Sequence, residues 1–176
     1  TMKPLTVFAA LGAGLDPAMT IDASKPLELS GQTIEDASDN GVLTLSQAIA
    51  RSSNVAVAQV VQRVGWKDVY PRVASLVPLP APEGLSEVEA IGQLDGFVTA
   101  VPLRTLASAY ATMARAPEGA AVLDMLRLAV GPEGTGERAT VPGLDVLGKT
   151  GTARREGTQD AVFVGRVSDG DRTAWI

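Results

Sequence analysis

The sequence predicts an α+β fold: an antiparallel sheet flanked by helices, with a mainly helical subdomain. Over residues 1–130, apolar residues recur at helical spacing and are punctuated by caps and breakers. Over residues 144–176 the pattern changes to extended runs separated by turn residues, an antiparallel meander following a helical body. The length supports one domain, 1–176, with its own core: 176 residues, 45% hydrophobic. Aromatics are only 4%, so that core must be built from Ala, Val and Leu.

The elements follow in order. Thr1-Met2-Lys3-Pro4-Leu5 running into Thr6–Leu11 reads as a short buried helix with Pro4 in its first turn, where a missing N–H costs nothing, and with Gly12 and Gly14 at its end. Residues 15–41 are mixed and polar, with Thr20–Asp22, Leu27–Leu29 and Thr33–Glu35 as short extended candidates and Asn40-Gly41 as a turn. This stretch is expected to be an irregular excursion, not a layer of the core. Thr44-Leu45-Ser46-Gln47 has the form of a capping box and opens a helix. Ser52-Ser53-Asn54 interrupts it, and a second helix runs Val55–Val64 to Gly65. Trp66–Leu76 is a further helix, and Pro78, Pro80 and Pro82 then enforce an extended loop. Ile91-Gly92-Gln93 and Asp95-Gly96 form a turn region. Pro102 starts a packing helix with Leu103, Leu106, Ala107, Tyr110, Ala111 and Ala114 on one face, and Val122–Ala129 is a shorter helix. Residues 131–143 are a Gly/Pro-rich loop. Leu144–Ala153 and Ala161–Val167 are strands with a polar connection, Asp169-Gly170-Asp171 is a hairpin turn, and Arg172–Ile176 begins a third strand.

Composition excludes several kinds of chemistry. The net charge is −5 and no basic cluster exceeds Arg154-Arg155, which argues against a nucleic-acid surface. There is no Cys, so thiol nucleophiles, disulfides and thiolate metal sites are out, a composition that fits an extracytoplasmic protein. There is no His, which removes a Ser-His-Asp triad and every His-ligated metal. A catalytic base must then be Lys, Asp, Glu or Tyr. No run of 18 apolar residues and no signal-peptide pattern occurs, so any anchor is expected to lie outside this chain.

One stretch stands out within that inventory. Gly148-Lys149-Thr150-Gly151-Thr152 places a fixed positive charge beside two hydroxyls, with Gly151 leaving the backbone open to a ligand. It could bind a carboxylate, or simply be a polar strand end with a solvated lysine. Ser52 and Asn54 sit in a helix-to-helix turn and have an ordinary reading as caps. Lys3 could be a mere first-turn lysine. Taken together and in order, two lysines and a serine are the obvious catalytic groups of a chain without His.

This combination resembles the penicillin-binding protein and serine β-lactamase superfamily, whose motifs are S-x-x-K, S-x-N and K-T-G. Thr1-Met2-Lys3-Pro4 is similar to the tail of the family's Ser-Thr-x-Lys-Pro, and Leu43–Ala58 to its run into Ser-Ser-Asn-Val-Ala. Ile91-Gly92-Gln93, Ala107–Ala114, Gly148–Ala153 and Asp160–Gly165 match later segments. The chain departs from the pattern at Val101, where the family usually has Thr. The family's nucleophilic Ser would stand immediately before Thr1, and its first strands, last strand and C-terminal helix are missing. The resemblance therefore implies a partial transpeptidase domain, mostly helical over 1–130 with antiparallel strands over 144–176, incomplete at both ends.

The resemblance also implies roles. A Ser three residues before Lys3 would share its helix face, and Lys3 would act as base once burial and the charge of Lys149 lower its pKa. Ser52 would relay the proton, and Asn54 would hold the substrate amide and the Lys3 side chain. Lys149, Thr150, Gly151 and Thr152 would bind the terminal carboxylate of a D-Ala-D-Ala peptide, with the Thr152 N–H in an oxyanion hole. The expected activity is peptidoglycan D,D-transpeptidation through an acyl-enzyme, with no cofactor and no metal. Expected partners are stem peptides, β-lactams and other cell-wall synthesis proteins, with no nucleic acid; the membrane is reached only through a segment outside the chain. A class A β-lactamase would need Glu-x-x-Leu-Asn, and Glu83, Glu87 and Glu89 lack that pattern; a class D enzyme would carry Ser-x-Val where Asn54 stands. A D,D-carboxypeptidase and a non-catalytic penicillin-sensing domain stay open. Ser-Ser-Asn and Ile-Gly-Gln lean toward the monofunctional class, while Asp160–Gly165 fits the bifunctional class equally.

Overall fold

Helix α1 (Lys3–Gly12) is the axis of the molecule, buried from Pro4 through Ala10. The structure, a computed structural model, describes residues 1–29, 31–79, 101–155 and 158–176, with residues 153–155 described by their backbone. Pro80, Pro82, Glu83, Glu87, Glu89, Ile91-Gly92-Gln93 and Asp95-Gly96 lie outside the described residues. Pro4 occupies the first turn of α1 as its missing N–H allows. The helix ends in a Schellman motif: Gly14 is left-handed (φ 94°) and the Leu15 N–H reaches back to the Ala10 carbonyl at 3.0 Å.

The excursion after α1 is more ordered than its composition predicts. β1 (Thr20–Asp22) pairs antiparallel with β4 (Val42–Thr44), and β2 (Leu27–Leu29) with β3 (Gln32–Ile34). β3 begins one residue before the predicted segment, and β4 was not anticipated. Each strand is too short for a visible alternation, yet each puts one apolar side chain inward. Ile21, Leu29, Ile34 and Leu43 are all 3% exposed or less and belong to the main core. The stretch is thus a covering layer built on single anchors.

The capping box forms as the sequence requires. The Thr44 hydroxyl accepts from the Gln47 N–H and the Gln47 side chain accepts from the Thr44 N–H, opening α2 (Leu45–Ala50). α3 (Asn54–Val64) buries Val55 through Ala58 with Val60 and Val61, and Gly65 (φ 95°) turns the chain into α4 (Trp66–Ala74). α4 stops two residues before the predicted end. α5 (Leu103–Met113) buries Leu106, Tyr110 and Met113, but Leu103 is 52% exposed and does not share the packing face assigned to it. α6 (Gly119–Ala129) starts three residues before the predicted helix. α1 contacts α3, α4, α5 and α6, which enclose it.

The sheet has the order β5–β6–β7, all antiparallel: β5 (Asp145–Arg155), β6 (Thr158–Ser168) and β7 (Thr173–Trp175). β5 begins one residue after its predicted start and runs two past its predicted end, and β6 exceeds its predicted bounds at both ends, because antiparallel pairing continues into polar residues once backbone partners are aligned. Asp169 closes the following turn by accepting from the Asp171 and Arg172 N–H groups, with Gly170 at φ 97°. α6 packs on β5, bringing the helical body against the sheet. Among the described residues no helix is long and apolar enough to cross a membrane.

Candidate active site

Three segments far apart in sequence meet at a cleft of about 740 Å³: the start of α1, the α2–α3 turn and the middle of β5. Lys3, Ser52, Asn54, Thr150, Gly151 and Thr152 all line it. The structure thereby brings six of the seven sequence-selected residues to one cavity, and the seventh, Lys149, stands directly behind it.

The α2–α3 turn has an unusual backbone. Helix α2 ends in a second Schellman motif, with the Ser53 N–H on the Ala48 carbonyl (2.9 Å) and the Ser52 N–H on the Ile49 carbonyl (3.2 Å). The left-handed position of this motif is normally glycine, as at Gly14. Here it is Ser52 (φ 60°), the one non-glycine residue with positive φ among those described. Ser52 is therefore no ordinary cap. The cap is Ser53, whose Oγ accepts from the Ala56 N–H. The left-handed backbone aims Ser52 at α1, where Lys3 Nζ donates to its Oγ at 3.4 Å.

The two lysines are held in unlike ways. Lys3 is half-buried, and burial pushes its amine down to about 8, against a pull upward from the Asp36 carboxylate. Lys149 is 1% exposed, which corrects the reading of a solvated strand charge. Its Nζ donates to Thr135 Oγ1 (3.0 Å), the Thr150 carbonyl (3.3 Å) and Thr150 Oγ1 (3.3 Å). Burial first, then the Lys3 charge, lowers Lys149 to about 8. Lys3 itself is lowered by burial and not by the Lys149 charge expected to depress it.

Two expectations are revised by the geometry. A Cβ on Gly151 would meet Thr1 Cγ2 at 2.9 Å, Thr1 N at 3.1 Å and Val162 Cγ2 at 3.1 Å. Glycine is needed there so that the start of α1 can close onto β5, a packing reason beside any approach of a ligand. Tyr110 Oη also fixes that start, donating to the Thr1 carbonyl at 2.7 Å; fully buried, its phenol is pushed far above its ordinary range. The Asn54 side chain, expected to reach Lys3, instead donates to the Glu35 carbonyl at 2.9 Å.

Sequence reasoning missed two residues of the cleft. Thr135, from the Gly-rich loop after α6, bonds both Lys149 and Thr150, its Oγ1 lying 2.7 Å from Thr150 Oγ1. It is held by its N–H on the Ala50 carbonyl at 3.1 Å. Asp36, in the loop after β3, binds the start of α3. Neither lies in a periodic segment or a motif, so no local signal marked them.

Residues 1–75 match the penicillin binding protein transpeptidase domain family. A probable peptidoglycan D,D-transpeptidase, PbpC, of Pseudomonas aeruginosa is 27% identical over 197 aligned residues, 88% of this chain and 34% of that protein. A probable peptidoglycan D,D-transpeptidase, FtsI, of Caulobacter vibrioides is 28% identical over 88% of this chain and 33% of its own length. A solved peptidoglycan glycosyltransferase from Burkholderia ambifaria superposes with a TM-score of 0.81 at 25% identity, over 94% of this chain and 65% of that one. The chain is thus similar to penicillin-binding protein transpeptidase domains, through the family match over residues 1–75 and through these relatives over most of its length. Its α+β architecture agrees with a second solved relative, the TP domain of Burkholderia pseudomallei penicillin-binding protein 3 (TM-score 0.80, 25% identity, 94% and 65% coverage). The chain spans about a third of the length of the curated relatives it matches.

Proposed function

We propose that this chain supplies most of the active site of a peptidoglycan D,D-transpeptidase acting outside the cytoplasm. The observation carrying this is the placement of Lys3 Nζ against Ser52 Oγ in one cleft with the Lys149–Thr152 wall of β5. The nucleophile in this reading is a serine joined to the Thr1 nitrogen. Met2 already has helical dihedrals (φ −73°, ψ −34°), so a residue three before Lys3 falls on the same helix face. With its pKa near 8, roughly a tenth of Lys3 is neutral at neutral pH, enough for a general base.

In the proposed cycle, the serine hydroxyl gives its proton to Lys3 while its oxygen attacks the carbonyl of the penultimate D-Ala. The oxyanion faces the Thr152 N–H and the serine's own N–H. Lys3 and Ser52 pass the proton to the departing D-Ala amine as the peptide bond breaks, leaving an ester. Asn54 borders the substrate's backbone amide. Lys149, Thr150 and Thr152 hold the terminal carboxylate: Lys149 lies behind the wall and presents its charge through the hydroxyls of Thr150 and Thr135. The amine of a second stem peptide then attacks the ester, frees the serine and forms the cross-link. A β-lactam, with a strained amide and a carboxylate, enters the first half of this cycle and stays as the ester.

The test uses the intact protein and a labelled penicillin. A stable mass adduct on the serine before Thr1 is the expected result, and cross-linking of donor to acceptor peptides distinguishes transpeptidation from hydrolysis by a carboxypeptidase. Rapid turnover of the penicillin would make the protein a β-lactamase, and absence of any adduct would leave a non-catalytic relative. The partial-domain assignment, the further cell-wall partners and an anchor outside the chain belong to the same proposal. Ser52-Ser53-Asn54 favours the monofunctional class within it.

A further inference from the structure

We propose that Asp36 is a positioning residue of this site, one that ties the Ser52–Ser53–Asn54 turn to the start of α3 and presents its negative charge to Lys3; the proposal rests on the acyl-transfer reading above. The carboxylate is the hub of four hydrogen bonds. One oxygen accepts from the Asn54 N–H and from the Val55 N–H (3.2 Å), the first two N–H groups of α3. The other accepts from the Ser53 hydroxyl and from the Asn40 side-chain amide (2.8 Å). The neighbouring Glu35 carbonyl takes the Asn54 side chain. A two-residue segment therefore fixes Asn54 by both backbone and side chain, and fixes Ser53, the residue that follows left-handed Ser52.

A neutral cap would have been sufficient to begin the helix, and Ser53 already provides one. The carboxylate adds charge at the positive end of α3 and on the border of the cleft that holds Lys3. The charged groups facing Lys3 can be assigned element by element. Lys149 comes from β5, and the Lys3 charge helps to lower its pKa. Asp36 comes from the loop after β3 and favours protonation of Lys3. Arg51, at the end of α2, lines the same cleft but is paired with Glu133 at 3.2 Å. Asp36 is thus the acidic group set against two cations, and it holds the turn that carries the Lys3 partner, Ser52. One side chain couples the position of the proton relay to the protonation of the base.

The experiment compares the intact protein with Asp36→Asn and Asp36→Glu, following the isotope-labelled Lys3 side chain by NMR across pH and the rate of penicillin acylation. Asp36→Asn keeps an oxygen for the Asn54 and Val55 N–H groups but removes the charge. It is expected to lower the Lys3 titration midpoint by about one unit, with the rising limb of the acylation profile moving the same way. Asp36→Glu keeps the charge and lengthens the arm; the Lys3 midpoint should stay near that of the parent while acylation slows at every pH. An unmoved Lys3 midpoint in Asp36→Asn, with only a lowered melting temperature, overturns the proposal and leaves Asp36 a helix cap. A parent protein that forms no adduct, yet whose Lys3 midpoint shifts in Asp36→Asn, overturns the acyl-transfer reading and supports the hold of Asp36 on Lys3.

Discussion

Replacing Lys3 by methionine should make the protein more stable, and the gain should depend on pH. The folded state holds the Lys3 pKa at about 8 against 10.5 in the unfolded chain. Below the folded value both states bind the proton, and the cost of carrying a charge in the cleft is present in full. Between about 8 and 10.5 the unfolded chain binds more protons than the folded one, so folding stability rises with pH and the cost fades. The difference of about 2.5 units corresponds to about 3 kcal/mol at pH 7, shrinking to about 1 kcal/mol by pH 9.5. Methionine removes the titrating group while keeping much of the apolar stem in place. For a chain of this size the gain at pH 7 is about 6–12 °C in melting temperature. Loss of the Ser52 contact is the same at both pH values, so the difference between the two gaps isolates the charge. Relief of Lys149, which Lys3 also depresses, adds to the gain at neutral pH. Urea titrations of parent and variant at pH 7 and 9.5 measure both gaps. Equal gaps, or a variant less stable at pH 7, would refute the account of Lys3 as a buried cation held off its ordinary pKa.

Three further outcomes follow from the same geometry. Lys149→Met should lower the second-order rate of penicillin acylation by about tenfold to a hundredfold, the worth of a charged hydrogen bond; with a penicillin methyl ester, whose carboxylate is masked, parent and variant should react alike, and an undiminished gap would remove Lys149 from carboxylate binding. Ser52→Gly should raise stability by about 1 kcal/mol, because glycine accepts φ 60° without strain, while acylation falls with loss of the Lys3 partner; a variant that melts earlier contradicts the strain argument. Gly151→Ala should cost about 1–3 kcal/mol in a denaturant titration, since its Cβ would stand 2.9 Å from Thr1 Cγ2, and unchanged stability would show that the start of α1 can retreat.

The parts of this molecule that were legible in the sequence are those encoded by local rules. The Thr44–Gln47 capping box, Gly65 between two helices and the change of period after residue 143 each act over a few residues, and each forms as read. The fold class follows from them. What was hidden depends on distance. Lys149 looks like a surface charge because its neighbours are Gly and Thr; its burial comes from packing of α6 and the Gly-rich loop over β5, and its partner Thr135 lies 14 residues away. Asp36 belongs to a polar run, Glu-Asp-Ala-Ser-Asp-Asn, that reads as solvated loop. Three of its four partners are 17 to 19 residues further on, and the fourth, Asn40, lies in the same polar run, so the sequence does not single it out from Asp39.

The contrast between Gly14 and Ser52 separates what the fold requires from what the site requires. Both residues hold the left-handed position of a Schellman motif, with the same pair of backbone bonds closing a helix. At Gly14 nothing but the turn is at stake, and glycine takes the conformation without cost. At Ser52 the chain accepts about 1 kcal/mol of backbone strain to place a hydroxyl beside Lys3. The same location gathers two lysines with lowered pKa values and a carboxylate committed to four donors. Neither the two lysines nor the left-handed Ser52 are the most stable choices for their positions, whereas the surrounding core of Ala, Val and Leu on α1 and α3 contains almost no polar atoms. Unfavourable groups are concentrated in one cleft and supported by a well-packed apolar frame around it. That distribution is what the proposed acyl transfer would need, because a base that stays partly neutral and a rigid proton relay both require surroundings that do not yield.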